Sequence, residues 1–118
     1  MTETYLYCYL GRITRIVDGD TVIADIDLGL HTWIHGERLR LARINAPEMR
    51  GDTRLAGLAA RDFLAEMVLD KEVTIKTIKD TKEKWGRFLA EILIEQDGAM
   101  VNINDLLVQS GYAVYAVY

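Results

Sequence analysis

Residues 38–48, RLRLARINAPE, place three arginines on an alternating stretch and end it in a carboxylate behind the chain's only proline. Arg40 stands among Leu39, Leu41 and Ile44, so a solvated arginine on an exposed strand face is the plainer reading. A guanidinium is also a planar fork of donors that matches a phosphate. Pro47 restricts Ala46 to an extended conformation, which stiffens the approach to Glu48. A general base must be positioned as well as basic; the alternative is a solvated glutamate in a strand-ending turn. Upstream, DGDT sets Asp18 and Asp20 around a glycine. That is ordinary turn chemistry, or the end of a hairpin presenting Asp20 oxygen to a hard divalent cation. Downstream, KWGR puts Arg87 just past a glycine at the mouth of a strand. Trp85 there can pack on a rim or stack on a base. His31 and His35 have no third nitrogen or sulfur ligand beside them, which argues against zinc.

Positioning these residues needs a frame, and the frame is visible as alternation. TYLYCYLGRITRIV and TVIADIDLG alternate as strands about the DGD turn. HTWIHGERLRLARI is a third strand, with a break expected near Gly36, and NAPEMRGDT is a loop. From Arg54 to Leu69 the period changes: Leu55, Ala59, Phe63 and Met67 recur every fourth residue, which predicts a helix facing the core with them. Thr53 is its expected N-cap. KEVTIKTI and RFLAEILIE are two further strands around the charged loop KDTKEKWG. Asn102 caps a short helix, INDLLVQS, stopped at Gly111. The tail YAVYAVY is apolar and is expected to pack. Three strands, a helix, two strands and a helix match an α+β, mainly β layout, the five-stranded OB barrel with two helices. Periodicity alone leaves other small α+β folds open.

The 118 residues, half of them hydrophobic, suit one domain over 1–118 with one core. The single cysteine, Cys8, cannot form an internal disulfide and reads as a small buried hydrophobe. MTETYLYCYL has no cationic region or long apolar run, so no export signal is read and a cytoplasmic chain is expected. No segment approaches the roughly 20 apolar residues that span a bilayer. The net charge of −4 argues against a generic nucleic-acid binder. Its distribution does not, because Arg38, Arg40, Arg43, Arg50 and Arg54, then Lys82, Lys84 and Arg87, gather in two windows. A local positive cleft on an acidic protein is expected.

The blocks VDGDT, RLRLARINAPE, KWGR and MVNINDLLVQSGYA, in that order and spacing, resemble the staphylococcal nuclease (thermonuclease-like) family from about Gly11 onward. The resemblance implies an OB barrel with helices that cleaves phosphodiesters of DNA and RNA, with calcium as the expected divalent cation. It implies that Asp20 is a calcium ligand, that Ala46 lends a backbone carbonyl, and that Arg40 contacts the scissile phosphate. It assigns Glu48 as general base through a water and Arg87 to the phosphoryl transition state. Asn45 stands where the family has a second calcium aspartate; its amide oxygen still suits a hard cation, with one charge fewer and weaker calcium binding expected. Trp85 replaces a tyrosine, and Tyr115 and Tyr118 both align with a base-stacking tyrosine. Lys84, with Arg50, Arg54 and Lys82, is positioned to add phosphate contacts or to be solvated. The expected protein is a monomeric, metal-dependent nuclease without membrane contact and with low sequence selectivity, since phosphate contacts carry no sequence information. The alternative is a catalytically weak or inactive OB module that binds nucleic acid or a protein partner.

Overall fold

A computed structural model of the chain describes residues 7–82 and 87–116. Strands β1 (Cys8–Asp18), β2 (Thr21–Gly29) and β3 (Thr32–Leu41) form an antiparallel meander. A short β4 (Ile44–Asn45) and a 3-10 turn at Gly51–Thr53 lead into helix α1 (Arg54–Val68). Then come β5 (Glu72–Lys82), β6 (Phe88–Gln96), β7 (Ala99–Asn102), helix α2 (Ile103–Gln109) and β8 (Val114–Tyr115). β5 pairs antiparallel with both β1 and β6, and β6 runs parallel to β3, with Leu39, Arg40 and Leu41 opposite Phe88, Leu89 and Ala90. That seam closes β3, β2, β1, β5 and β6 into a five-stranded barrel, the OB architecture expected, with two helices. Among the described residues no helix is long and apolar enough to cross a membrane.

Alternation places the apolar side chains inside. Val22, Ala24 and Ile26 of β2 meet Leu39 and Leu41 of β3, Ile75 of β5 and Ile92 of β6, all buried. The helices cap this interior with Leu64, Val68, Ile103 and Leu107. Burying each such leucine or isoleucine contributes about 1.5–3 kcal/mol, so the barrel interior is the main driving force. Gly36 does not break β3; it adopts φ +72° beside a register shift, and the strand runs on to Leu41. At its end Arg43 takes φ +69° and the chain turns into β4, a separate two-residue strand paired with β8.

Several expectations change. The buried face of α1 is Gly57, Ala60, Leu64 and Val68. Leu55 and Ala59 are exposed and Phe63 and Met67 only half-buried, so the face is rotated by about one residue from the apolar count. Small residues win because the helix lies close against the loop and turn below it. Thr53 does not cap α1: its hydroxyl donates back to the Glu48 carbonyl at 2.8 Å. Asn102 does cap α2, accepting from the Asp105 amide at 3.1 Å. β7 was not expected as a strand; it extends β6 across the Asp97–Gly98 turn. Of the tail, Ala113 is buried, but Val114 and Tyr115 are exposed, and Cys8 is half-buried.

Arg43 does not join the arginine row. Its guanidinium holds Glu91 through two bonds, 3.0 and 2.7 Å, and Asp105 at 3.0 Å. Asn102 donates to the same Glu91 at 2.6 Å. The Arg43 bonds, then Asn102, hold the Glu91 carboxyl below its ordinary 4.5. A folded-state value below the unfolded one stabilises the fold above the ordinary value and loses that stabilisation as pH falls through the lowered one. The thermal midpoint is therefore expected to drop on acidification below about 4.5. Glu91→Gln should flatten that drop; an unchanged acid slope in a melting series would refute the assignment.

Candidate active site

Register places the site residues at one end of the barrel. Thr21, the first residue of β2, is opposite Arg40 of β3, and Arg87 immediately precedes β6, whose seam with β3 carries Arg40. Asp18 and Asp20 lie on the β1–β2 turn, and Asn45 and Ala46 follow the Arg43 turn. The Asp20 carbonyl accepts from the Leu41 amide at 2.8 Å, fastening the turn to the end of β3.

These residues form one bonded network. Asp20 Oδ2 accepts from the Ala46 amide at 2.9 Å and lies 3.3 Å from Arg40 Nη2. Arg40 Nη2 donates to Asn45 Oδ1 at 2.5 Å, and Nη1 donates to the Leu41 carbonyl at 2.7 Å. Arg87 Nη1 donates to the Thr21 hydroxyl at 3.1 Å, and that hydroxyl reaches Asp20 Oδ1 at 3.4 Å. Arg40 and Thr21 are buried; Arg87 is half-buried and nearer the surface. Burial, then the neighbouring Asp18, push the Asp20 carboxyl up to about 6, against the Ala46 amide and the Arg40 charge, which pull it down. A carboxylate so short of compensation is one that a cation would stabilise.

The Asp20 carboxylate and the Asn45 amide oxygen, both beside Arg40 Nη2, are oxygen donors of the kind that a hard divalent ion takes. Among the described residues no group of three or more His, Cys, Asp or Glu side chains is arranged to hold a metal.

Glu48 is brought to the same loop but not into the network. Its side chain is 72% exposed and lies 3.6 Å from Arg50 Nε. Its backbone is fixed more firmly than its carboxylate. A methyl at Gly57 of α1 would fall 2.5 Å from the Glu48 carbonyl oxygen and 2.8 Å from the Met49 amide nitrogen. A methyl at Gly19 would fall 2.7 Å from the Cβ atoms of both Ala46 and Ala60. The β1–β2 turn, the loop after β4 and α1 thus meet through small residues, which explains the rotated helix face.

Tyr115 faces Ile44 across the β4–β8 ribbon, next to the Val114–Asn45 pair. Its hydroxyl donates to Asp105 at 2.9 Å and its ring lies 5.9 Å from the Arg43 guanidinium. The Asp105 bond raises the phenol's pKa. Tyr115 is 54% exposed. Lys84, Trp85 and Tyr118 lie outside the described residues, as does the Lys82 side chain. Sequence reasoning overlooked Thr21; the only signal was a hydroxyl residue directly after DGD.

Comparison with known proteins agrees with this frame. Residues 38–118 match the family model described as staphylococcal nuclease homologue. The chain is 33% identical over 108 residues to Protein ParB of Escherichia coli, covering 87% of this chain and 55% of that protein. It is 31% identical over 93 residues to the thermonuclease of Staphylococcus intermedius, covering 76% and 48%. To endonuclease YhcR of Bacillus subtilis it is 29% identical over 115 residues, covering 89% and 9%. The chain thus spans about half the length of the first two relatives. With the barrel, the motif order and the family match in agreement, the chain belongs to the staphylococcal nuclease family.

Proposed function

We propose that this domain is a metal-dependent nuclease that hydrolyses phosphodiester bonds of DNA or RNA with little sequence selectivity. The observation that carries the reading is the bonded network joining two guanidiniums to one oxygen-donor set at a single barrel end. Hydrolysis builds negative charge on the phosphoryl oxygens. Arg40 on β3 and Arg87, just before the parallel strand β6, supply preorganised positive donors at that charge. Glu48, on the stiff loop after Pro47, orients and deprotonates the attacking water. Asp20, Asn45 and the Ala46 carbonyl would hold the divalent cation, calcium on the donor chemistry, which lends Lewis-acid stabilisation when bound. Tyr115 offers an aromatic ring for a base; Lys84, Trp85 and Tyr118 are assigned as further nucleic-acid contacts on the family resemblance of the sequence alone. Contacts to phosphate dominate such an interface, so affinity falls as salt rises.

The test is cleavage of single-stranded DNA with calcium, then with EDTA, with melting as a second readout. Calcium at about 100 times its dissociation constant stabilises a folded protein by roughly 2.7 kcal/mol. Wild type is expected to cleave only with metal and to melt higher in calcium, whereas Asp20→Asn should do neither. Cleavage in EDTA would sink the metal-dependent reading. Binding without cleavage under any divalent ion would favour a non-catalytic OB module, a reading to which the lost charge at Asn45 lends weight.

A further inference from the structure

The outer face of the β1–β2–β3 meander is a grid of in-register rows. Asp18, Thr21 and Arg40 form the row at the site. The next row is Arg15, Ile23 and Arg38. Beyond it Arg12 lies between Asp25 and Glu72, and then Leu10, Asp27 and Trp33 share a row. Two strand residues advance roughly 7 Å, close to one nucleotide of an extended strand. The second row is thus one nucleotide step from the reacting centre, and its flanking strands stand roughly 10 Å apart, within reach of two long side chains leaning over Ile23.

This row brings two cations together with no acid between them. Arg40, Arg43, Arg50 and Arg61 each pair with a carboxylate. Arg15 and Arg38 are exposed, and neither makes an ion pair with a described residue. Their row contains no acid. The rows beyond hold Asp25, Asp27 and Glu72, and Asp25 is itself engaged with His35 at 3.3 Å and the Gly36 amide at 2.9 Å. A polyanion leaving the site along this face meets the two cations of this row, and then rows in which Arg12 is outnumbered by Asp25, Glu72 and Asp27.

We propose that Arg15 and Arg38, flanking the half-buried Ile23, form a subsite for the single phosphate one nucleotide from the reacting one, with Ile23 as an apolar floor beneath the intervening sugar. The subsite takes its starting point from the nuclease reading of the Arg40–Arg87 centre. The acidic rows limit it to one phosphate.

The test is the salt dependence of binding of a fluorescently labelled single-stranded oligothymidylate, followed by anisotropy in EDTA, so that it does not depend on cleavage. Each single-strand phosphate contact contributes about 0.7 to the slope of log affinity against log salt. The double variant Arg15→Ala/Arg38→Ala is expected to bind several-fold more weakly at low salt and to lose about 0.7 of slope, with an unchanged melting midpoint. Arg12→Ala/Arg61→Ala, the same loss of charge outside the row, should keep the wild-type slope. A wild-type slope in the first variant, an equal drop in the second, or no binding by wild type overturns the subsite. Failure of the nuclease reading appears separately, as absent cleavage in calcium with this slope difference intact.

Discussion

Arg87→Ala is expected to lower turnover on single-stranded DNA in calcium by roughly 10²–10³-fold, with a smaller rise in KM. The argument rests on where charge develops. A phosphodiester already carries one negative charge, and attack by water adds more to the same oxygens. A donor held in place before the reaction costs no reorganisation when that charge appears, so its removal falls on kcat. Arg87 is a cleaner probe than Arg40. Arg40 is buried and neutralises Asp20 while bonding Asn45 and the Leu41 carbonyl, so deleting it strands a buried carboxylate. Arg87 is nearer the surface and its described contact here is the Thr21 hydroxyl. Arg87→Lys keeps the charge and loses the planar fork, so it should recover only part of the rate. Glu48→Gln should cost about 10²–10⁴-fold as the loss of a general base; its exposed side chain predicts no change in melting. Initial rates on one labelled oligonucleotide decide both: either variant turning over like wild type removes that residue from the mechanism.

The largest stability effect is expected at Asn104. This side chain is fully buried. Its oxygen accepts from the Ile92 amide at 3.2 Å, and its nitrogen donates to the Ala42 and Ala90 carbonyls at 3.0 and 3.1 Å. One carboxamide therefore joins α2 to β6 and to the turn that starts the Arg43–Asn45 segment. Asn104→Ala leaves buried backbone groups without their partner, at about 1–3 kcal/mol each, and adds a cavity. Partial compensation is available, because the Ala90 carbonyl also accepts from the Ala42 amide at 2.9 Å. A net loss of about 3 kcal/mol should lower the thermal midpoint by roughly 10 °C or more. Asn104→Asp should be no better, since a carboxylate cannot donate to two carbonyls. A midpoint within a couple of degrees of wild type would mean that water replaces the amide and the bonds hold little.

Much of this architecture is written in local pattern. Alternation about DGD marks the first strands and their turn, and the Asn102 cap marks α2. Closure of the barrel is not local: the Leu39–Leu41 seam with Phe88–Ala90 pairs segments far apart in sequence. The face of α1 was misjudged because counting apolar residues favours Leu55, while the close approach of the helix to Glu48 and Ala46 requires Gly57 and Ala60. Asp20, Arg40, Asn45, Ala46 and Arg87, which motif order singled out, lie in one bonded network. Motif order could not separate Arg43 from the other arginines, because a left-handed backbone at that residue decides where the side chain goes. Nor could it foresee Asn104, whose polar side chain looks like any first-turn helix residue until burial is known.

The three-pair seam has a consequence of its own. It is the pairing that closes the barrel, and Arg40 lies within it while Arg87 adjoins its first pair. Any excursion that unzips this junction separates the two guanidiniums before it disturbs the rest of the meander. Under the nuclease reading, cleavage activity is expected to fail on gentle heating or in dilute urea ahead of the loss of β-sheet signal, its rate serving as the gauge of an open latch.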